Sequence, residues 1–340
     1  MTVGEGRSYD GITVVIPVLN AARYLPDCLA SVRAQRLAPG LGLEVLAVDG
    51  GSTDATCQIA ADFGAKVLSN PDVLAEAGVE RGFRGASYRI RLVLAADNQL
   101  PHPDWIARLL GVFEATGARC VYTHVVPRPD RRSISRYWSL SQTDPFSRFV
   151  YGRASDPRRF HSIYRPIAVT SEYAMYDLST RRPLLALAQG TAVDGTVPRT
   201  RDLAVFDDVL PMWDMIDSGD RFVYYKTGGV VHDTVGSLHE FRDKYRRRAS
   251  SAADPRGFGF MSRWSRMDFA DQVRALCWPL SVVTLVRPVS ESIAGWRRDR
   301  DAAWLWHPVV SLLLLAFATS ALVSVVAGQL RRSLLQSLGG

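Results

Sequence analysis

The sequence predicts an α/β fold: a doubly wound, mostly parallel sheet, followed by a C-terminal amphipathic helix and one transmembrane helix. Apolar, β-branched runs such as residues 12–18 and 43–48 alternate with segments of helical period over residues 12–126. Strands and helices that alternate at these spacings form parallel sheets with crossover helices on both faces. The 340 residues suffice for one large domain of this class and a further C-terminal region.

The elements of the first part follow from their periodicity. Short apolar runs bounded by turn residues indicate buried strands, whereas apolar residues recurring every three to four positions indicate helices. Pro103 opens the last of these helices, because proline suits the first helical turn. The predicted strands are residues 12–18, 43–48, 65–68, 90–95 and 120–126. The predicted helices are residues 21–35, 53–63, 73–88 and 103–115.

The second part is less regular. Residues 127–165 are rich in Arg, Ser, Pro and Asp with interspersed aromatic residues, which predicts a long, partly ordered excursion over the active face. The alternative is a solvent-exposed excursion without a functional role. The strands predicted beyond it are residues 167–178, 221–225 and 228–232. The predicted helices are residues 181–189, 206–218 and the strongly basic 238–248.

An acidic, glycine-containing turn follows the second predicted strand. It reads Asp49-Gly50-Gly51-Ser52-Thr53-Asp54. Open α/β sheets bind ligands at the carboxyl ends of their strands, so this turn is a candidate binding site. The alternative is a polar turn that caps the next helix. The first strand–turn–helix unit has no Gly-x-Gly-x-x-Gly, which disfavours a dinucleotide-binding fold.

Charge and cysteine content narrow the function classes. The net charge is +7, which suits anionic partners such as nucleotide diphosphates or anionic lipid headgroups. No recognised nucleic-acid motif or repeated aromatic platform is present, so nucleic acid is not an expected partner. The four cysteines are scattered without close pairs, which matches neither a zinc site nor a disulfide framework and indicates a reducing compartment.

The C-terminal region predicts membrane contact. Residues 302–330 carry no charge and are rich in Leu, Val and Ala, which exceeds the ~20 residues needed to cross the hydrocarbon core. Arginines flank both ends, and a buried core helix is the alternative. Residues 269–296 predict an amphipathic or re-entrant helix at the bilayer surface. The basic helix before them is predicted to lie against an anionic membrane leaflet. The alternative is that its charged face is simply exposed to solvent.

Five motifs in order resemble family 2 glycosyltransferases of the GT-A fold. They are the first strand with Pro17 and Asn20, the turn at residues 49–54, Asp97 followed by Pro103-Asp104-Trp105, Phe206-Asp207-Asp208-Val209, and Val231-His232 after the aromatic strand Phe222-Val223-Tyr224-Tyr225. The resemblance covers roughly residues 10–250. It implies transfer of a sugar from a nucleotide-diphosphate sugar to an acceptor, with inversion at the anomeric carbon.

The resemblance also implies roles for individual residues. Asp49 holds the base or ribose of the donor, and Asp97, as the last acid of the metal motif, binds Mg²⁺ or Mn²⁺ near His232. Asp208 is the general base of the catalytic pair Asp207-Asp208; simple helix capping is the alternative for that pair. The further donor-binding candidates are Pro17, Asn20, Ser52, Asp54 and Arg81. Carboxylates suit both roles, because hard cations prefer oxygen ligands and an inverting displacement needs a base.

Two positions depart from the family pattern. The first acid of the metal motif falls at Ala95, which puts the affinity for a cation in question. The Arg-Asn pair that the family often carries falls at Val79-Glu80, so Arg81 or Arg84 is the candidate replacement at the diphosphate.

The expected protein is therefore an inverting glycosyltransferase with a lipid-linked acceptor, polyprenyl phosphate or glycolipid. Its catalytic domain would be cytoplasmic and held at the cell membrane by a single C-terminal span. The expected division is a tail at 1–10, the GT-A domain at 11–250, an interfacial region at 251–300, the span at 301–330 and a tail at 331–340. A catalytically impaired scaffold is the main alternative; a nucleotidyltransferase would need a glycine-rich basic loop where Val18-Leu19-Asn20-Ala21 stands.

Overall fold

The computed structural model describes residues 9–130, 134–196, 207–233, 237–251, 263–320 and 323. In this part of the chain, twelve strands form two sheets. One sheet has nine strands and the other has three. Helices cover both faces of the large sheet, which is the α/β architecture that the sequence predicts.

The first half is the parallel, regularly alternating unit. Strands β1 to β4 pair in parallel in the order β3-β2-β1-β4. The strands are Gly11–Val18 (β1), Gly42–Asp49 (β2), Lys66–Ser69 (β3) and Ile90–Val93 (β4). The helices are Leu25–Arg33 (α1), Thr56–Asp62 (α2), Ala75–Gly85 (α3) and Trp105–Thr116 (α4). The four strands and four helices predicted here are confirmed, with ends that differ by a few residues.

The second half completes the large sheet with mixed pairing. Strand β10 lies between β4 and β6 and is antiparallel to both. Strand β11 is parallel to β6, and the hairpin β8–β9 adds the far edge. The strands are Cys120–Tyr122 (β6), Pro166–Val169 (β8), Tyr173–Tyr176 (β9), Thr191–Asp194 (β10) and Phe222–Tyr225 (β11).

The small sheet corrects one predicted strand. Residues 120–126 were expected as a single strand, but only Cys120–Tyr122 joins the large sheet. Val125–Pro127 (β7) instead pairs in parallel with Val230–His232 (β12), which is antiparallel to Asn98–Gln99 (β5). The break at Thr123 lets the Thr123 hydroxyl donate to the carbonyl of Gly228 in the adjoining loop.

Three further stretches differ in detail from their predictions. Residues 167–178, predicted as one strand, form the hairpin β8–β9. The excursion at 127–165 is largely helical where it is described, with Ile134–Ser141 (α5), Pro145–Tyr151 (α6) and two 3₁₀ turns to Ser162. Residues 181–189 form no helix. Pro183 interrupts that stretch, and its carbonyl accepts the indole N–H of Trp213 at 2.7 Å. Leu184 N donates to the carbonyl of Ala154 at 2.9 Å, so this segment is fixed by tertiary hydrogen bonds instead.

Successive residues of the central strands point to opposite faces and build two cores. Val14 belongs to the core under α1 and α4, whereas Val15 belongs to the core under α3 and α6. Helix Leu210–Asp217 (α7) packs on the second core through Met212 and Trp213. A central strand that is buried on both faces reads as a continuous apolar run, which is why β1 is recognisable from the sequence.

The described part of the C-terminal region contains four long helices. They are Leu238–Ser251 (α8), Phe269–Val283 (α9), Val286–Asp299 (α10) and the apolar Ala302–Ser320 (α11). Helices α9 and α10 meet at 90°. By length and composition α11 is long enough to cross a membrane, and 22% of its apolar window is buried. Most of the tails expected at 1–10 and 331–340, and nearly all of 321–330, lie outside the described residues.

The close approach of α3 to β1 gives a testable prediction. A Cβ added at Gly82 would overlap the side chain of Val15 in the core, whereas one added at Gly111 of α4 would meet nothing within 4 Å. We expect Gly82→Ala to lower the free energy of unfolding by about 1–3 kcal/mol, because overpacking forces the strand and helix apart. Gly111→Ala should be neutral or stabilise by up to about 1 kcal/mol. Urea unfolding of both variants checks this; equal effects would contradict the close packing.

Candidate active site

The candidate residues gather at one edge of the large sheet. Strands β1, β2 and β4 are parallel, and their carboxyl ends at Val18, Asp49 and Val93 lie at the same edge. Strand β10 starts at this edge, since Gly190 N donates to the carbonyl of Val93 at 2.8 Å. Loops that leave this edge therefore form a common cleft, as is usual for open α/β sheets.

The turn after β2 is organised around the Asp49 carboxylate. It accepts hydrogen bonds from Gly51 N at 3.0 Å, from Ser52 N at 3.1 Å and from the Ser52 hydroxyl at 2.5 Å. Partial burial opposes ionisation, but these hydrogen bonds outweigh it and lower the pKa of Asp49 below its ordinary value. Asp49 is therefore a fixed, ionised acceptor at the rim of the cleft. Gly51 has φ +92°, a conformation that favours glycine.

The loop after β1 is tied to the same turn. The backbone of Asn20 is left-handed, with φ 49°. Its side-chain oxygen accepts Thr53 N at 2.8 Å, and its own N–H donates to the Ser52 hydroxyl at 2.9 Å. Asp54 accepts Ala22 N at 3.2 Å and Thr56 N at 3.0 Å. Asn20, Ser52 and Asp54 thus hold two loops in one rigid wall beside Asp49.

Pro17 and Arg81 lie on the α3 side of this wall. Pro17, at the end of β1, packs against Gly78 of α3. The guanidinium of Arg81 is 2.8 Å from the Asp72 carboxylate. Arg81 and Asp72 line a groove of about 480 Å³ between β3 and α3, which also includes Ser69, the residue paired with Asp49 in the sheet. Arg84, which also lines the groove, pairs with Glu80 on its own helix.

Asp97 and His232 are brought together by the small sheet. His232 pairs with Asn98 across the β5–β12 ladder, and His232 Nε2 lies 3.7 Å from Asp97 Oδ2. The Asn98 side chain accepts the N–H of Ala95 at 3.0 Å and closes the turn that carries Asp97. Burial lowers the pKa of His232, with a further contribution from the nearby Lys244. The imidazole is thus neutral and available as a ligand at neutral pH.

The donor set for a divalent cation is small. Among the described residues, no group of three His, Cys, Asp or Glu side chains converges on one point. Asp97 and His232 are the two side chains here that could ligate a metal, and Ala95 offers no oxygen. His232 Nδ1 is buried and has no hydrogen-bond partner within the described segments. Since Mg²⁺ is often held by one or two protein ligands together with substrate phosphates and water, this pair fits a weakly held cation.

The carboxylate pair before α7 divides into two environments. Asp207 is buried, and its Oδ1 accepts the N–H groups of Val209 and Leu210 at 2.8 and 2.7 Å. Its Oδ2 accepts Arg263 Nε at 2.9 Å. The side chain of Asp208 is 25% exposed and lies 3.4 Å from Arg263 Nη2. The helix predicted from residue 206 begins at Leu210, so both acids precede it, and residue 206 lies outside the described residues.

Asp208 is tied to the cleft through the segment that enters β10. Its carbonyl accepts the N–H of Leu187 at 2.8 Å. That segment continues to Gly190, which is hydrogen-bonded to the end of β4. Asp208 therefore lies near the sheet edge that carries Asp49 and Asp97.

Two cations of the site were not identified from the sequence. Lys244 Nζ lies 3.9 Å from Asp97 Oδ2, and Arg263 pairs with both acids before α7. Lys244 lies in the predicted basic helix 238–248, and nothing in that pattern indicates a contact with Asp97. Nothing in the local sequence around Arg263 signals its partners, which lie more than fifty positions earlier.

Comparison with known proteins identifies the domain. Residues 13–175 match the family model described as Glycosyl transferase family 2. Residues 13–175 belong to glycosyl transferase family 2. Glycosyltransferase AglE of Haloferax volcanii is 33% identical over 117 residues, which cover 32% of this chain and 38% of that protein. A PGL/p-HBAD biosynthesis glycosyltransferase of Mycobacterium bovis is 34% identical over 125 residues, covering 34% and 47%. The chain thus spans less than half of the length of these relatives.

The fold of the family 2 domain is that of GT-A glycosyltransferases. The mannosyltransferase PcManGT from Pyrobaculum calidifontis, solved in complex with GDP-Man and Mn²⁺, superposes with a TM-score of 0.51 at 14% identity. The superposition covers 93% of this chain and 88% of that one. At this identity the likeness concerns the fold, and it extends beyond the family 2 domain into the C-terminal helices.

Proposed function

We propose that the chain is an inverting glycosyltransferase that moves a sugar from a nucleotide-diphosphate sugar to a lipid-linked acceptor. The observation that carries the proposal is the gathering of Asp49, Asp97 with His232, and Asp208 around one sheet edge. In this arrangement Asp49 could accept a hydrogen bond from the nucleotide, and Asp97 with His232 could ligate a cation at the diphosphate. The Asp208 carboxylate could take the proton of the hydroxyl that receives the sugar. The names of the family relatives support the same class of activity.

On the donor side, Asp49 would accept a hydrogen bond from the base or the ribose. Its carboxylate is ionised and rigidly held by Ser52, so little conformational entropy is lost on binding. Pro17, Asn20, Ser52 and Asp54 would shape the wall of the nucleotide pocket. Arg81 would reach the donor from the groove beside α3, where its partner is now Asp72.

Asp97 and His232 would hold a divalent cation, Mg²⁺ or Mn²⁺. When bound, such a cation neutralises the charge that develops on the diphosphate leaving group. Asp97 would contribute an anionic oxygen and His232 a neutral nitrogen. Because Ala95 contributes no ligand, we expect the affinity for the free cation to be low and to rise when donor phosphates complete the coordination.

Asp208 would be the general base, with Asp207 as its structural support. Asp207 accepts two backbone N–H groups and Arg263, whereas Asp208 is partly exposed at the surface. The Asp208 carboxylate would take the proton of the acceptor hydroxyl as the new glycosidic bond forms. Arg263 would orient the Asp208 carboxylate.

The acceptor side would be the cytoplasmic membrane surface. Helices α9 and α10 expose apolar residues along one stripe each, at helical spacing. They are Phe269, Val273, Leu276, Leu280 and Val283 on α9, and Val286, Val289, Ile293 and Trp296 on α10. Exposed apolar surface of this extent needs a partner. A bilayer is the partner proposed, because α11 follows directly and the exposed Arg297 and Arg300 lie at the junction. The acceptor would then be a polyprenyl phosphate or a glycolipid.

Bimane fluorescence at Cys277 tests the membrane contact. Cys277 is exposed on α9 beside the apolar stripe, whereas Cys28 and Cys120 are buried. In a Cys57→Ser background, we expect a bimane on Cys277 to be quenched when the full chain is reconstituted into phosphatidylcholine–phosphatidylglycerol vesicles with brominated acyl chains. The control carries the bimane at Asp62→Cys on α2, with both Cys57 and Cys277 replaced by Ser. Its fluorescence should not be quenched. Equal quenching at the two positions, or none at Cys277, would overturn the contact.

A catalytically impaired scaffold in a cell-envelope complex is the second candidate. Ala95 and the ion pair between Arg263 and Asp208 favour it, because one weakens the cation site and the other engages the base. The test is transfer by the purified full chain in detergent, with a panel of nucleotide sugars, Mn²⁺ and membrane lipid extract. Transfer of labelled sugar into the lipid fraction is expected. Nucleotide binding without transfer from any donor would favour the scaffold.

A further inference from the structure

The Asp97 carboxylate is shared by two side chains at almost equal distance. Its Oδ2 atom lies 3.7 Å from His232 Nε2 and 3.9 Å from Lys244 Nζ. The side chain of Lys244 is 41% exposed, whereas those of Asp97 and His232 are 13% and 3% exposed. Lys244 therefore has the most exposed side chain of the three.

Lys244 is carried by a firmly held part of α8. Phe241, one turn earlier, is fully buried, and its ring stacks on that of Tyr245 with centroids 4.5 Å apart. Trp138 of α5 contacts both rings, with centroids within 5.7 Å. Glu240 is 2.6 Å from Arg23, which follows β1. These contacts fix the turn of α8 that presents the ammonium to Asp97.

The charge balance of the site differs from that of a two-acid metal centre. Two carboxylates with one divalent cation sum to zero charge. Here Ala95 is neutral, and the ion pair of Asp97 with Lys244 by itself carries no net charge. A divalent cation on Asp97 would also be repelled by the ammonium, while a diphosphate would be attracted by it. Lys is a common phosphate ligand that acts as a compact point charge.

We propose that Lys244 is a donor-binding residue that supplies permanent positive charge to the diphosphate, so that nucleotide binding persists when divalent cations are removed. The proposal rests on the proposed function, since it concerns the same donor. Asp97 then has two roles, as a weak cation ligand and as the group that orients the Lys244 ammonium. The protein would bind its donor in two states, with Lys244 alone or with Lys244 and a cation.

Titration calorimetry of the full chain in detergent tests this inference. UDP and GDP are both used as probes, each in EDTA and in Mn²⁺. We expect the wild-type chain to bind one of them in EDTA, and Lys244→Met to bind that probe in EDTA roughly tenfold to hundredfold more weakly, the loss typical of a hydrogen bond to a charged group. In Mn²⁺ the difference should shrink. Arg242→Met, on the same helix and with the same change in charge, should bind like the wild type.

The charge-conserving variant guards against a merely structural effect. Lys244→Arg should keep EDTA-resistant binding within about threefold, and circular dichroism melts establish that each variant is folded. Wild-type binding that is abolished by EDTA, or Lys244→Met binding in EDTA that equals the wild type, would overturn the inference and leave the proposed function intact. Failure of both probes to bind in either condition would overturn the donor site, and the inference with it.

Discussion

Asp208→Asn is expected to reduce sugar transfer by roughly 10²–10⁴-fold, the usual contribution of a general base. The amide has the shape of the carboxylate but cannot take the acceptor proton. Arg263 still finds an oxygen acceptor on the amide, so the fold around α7 should be kept. Donor binding should change by less than about threefold, since the role proposed for Asp208 concerns the acceptor hydroxyl and not the donor. Initial rates and calorimetric titration of the donor measure the two effects separately.

A matched variant separates catalysis from general surface charge. Asp62→Asn removes a carboxylate at the end of α2, where its partner is Gln58, and should leave the rate unchanged. If Asp208→Asn transfers sugar at the wild-type rate, the assignment of the base is wrong. A rate loss accompanied by an equal loss of donor affinity would point to a binding role for Asp208 instead.

Arg263→Met is expected to lower the free energy of unfolding by about 3–5 kcal/mol, because it leaves a buried carboxylate without its cation. The side chains of Arg263 and Asp207 are only 13% and 1% exposed. Burial opposes the charge on Arg263, but attraction to Asp207 and Asp208 outweighs it and raises the pKa of the guanidinium. Chemical denaturation measures the loss.

Arg266 provides the control for this ion pair. It pairs with Asp214 and Asp217 at 2.6 Å, and those carboxylates are 27% and 43% exposed. These pairs are partly exposed and therefore more screened by solvent than the Arg263–Asp207 pair, so Arg266→Met should lower the free energy of unfolding by less than Arg263→Met does. Adding Asp207→Asn to Arg263→Met should recover part of the stability. Equal losses for the two arginine variants would contradict a special role for the buried pair.

The local pattern of apolar residues was enough to predict the first half of the fold. Strands β1 to β4 are short apolar runs, and the helices between them have a clear period, so the parallel unit and the turn at Asp49 were predictable. The same reasoning failed for residues 120–126. The apolar run there contributes one strand to each of two sheets. The strands are separated at Thr123, whose hydroxyl donates to the carbonyl of Gly228. Such a break depends on residues a hundred positions away.

The remaining errors have similar causes. Strand β10 has only four residues and carries Asp194, whose charge is matched by Arg89 at 2.8 Å, so it does not resemble a central strand. Residues 181–189 have helix-forming side chains, but tertiary hydrogen bonds at Pro183 and Leu184 override that preference. The pairings of Lys244 with Asp97 and of Arg263 with Asp207 arise only when distant elements pack.

We expect the central position of β10 to make completion of the large sheet a late step in folding. The neighbours of β10 in the sheet belong to residues 90–93 and 120–122, so Val93 and its partner Thr191 are roughly one hundred residues apart. Loop closure over such a distance slows folding, and the open edge of β4 is a template for aggregation until residue 194 has been synthesised. A fragment that ends at residue 175, where the family similarity ends, would therefore expose this edge permanently and should aggregate on expression.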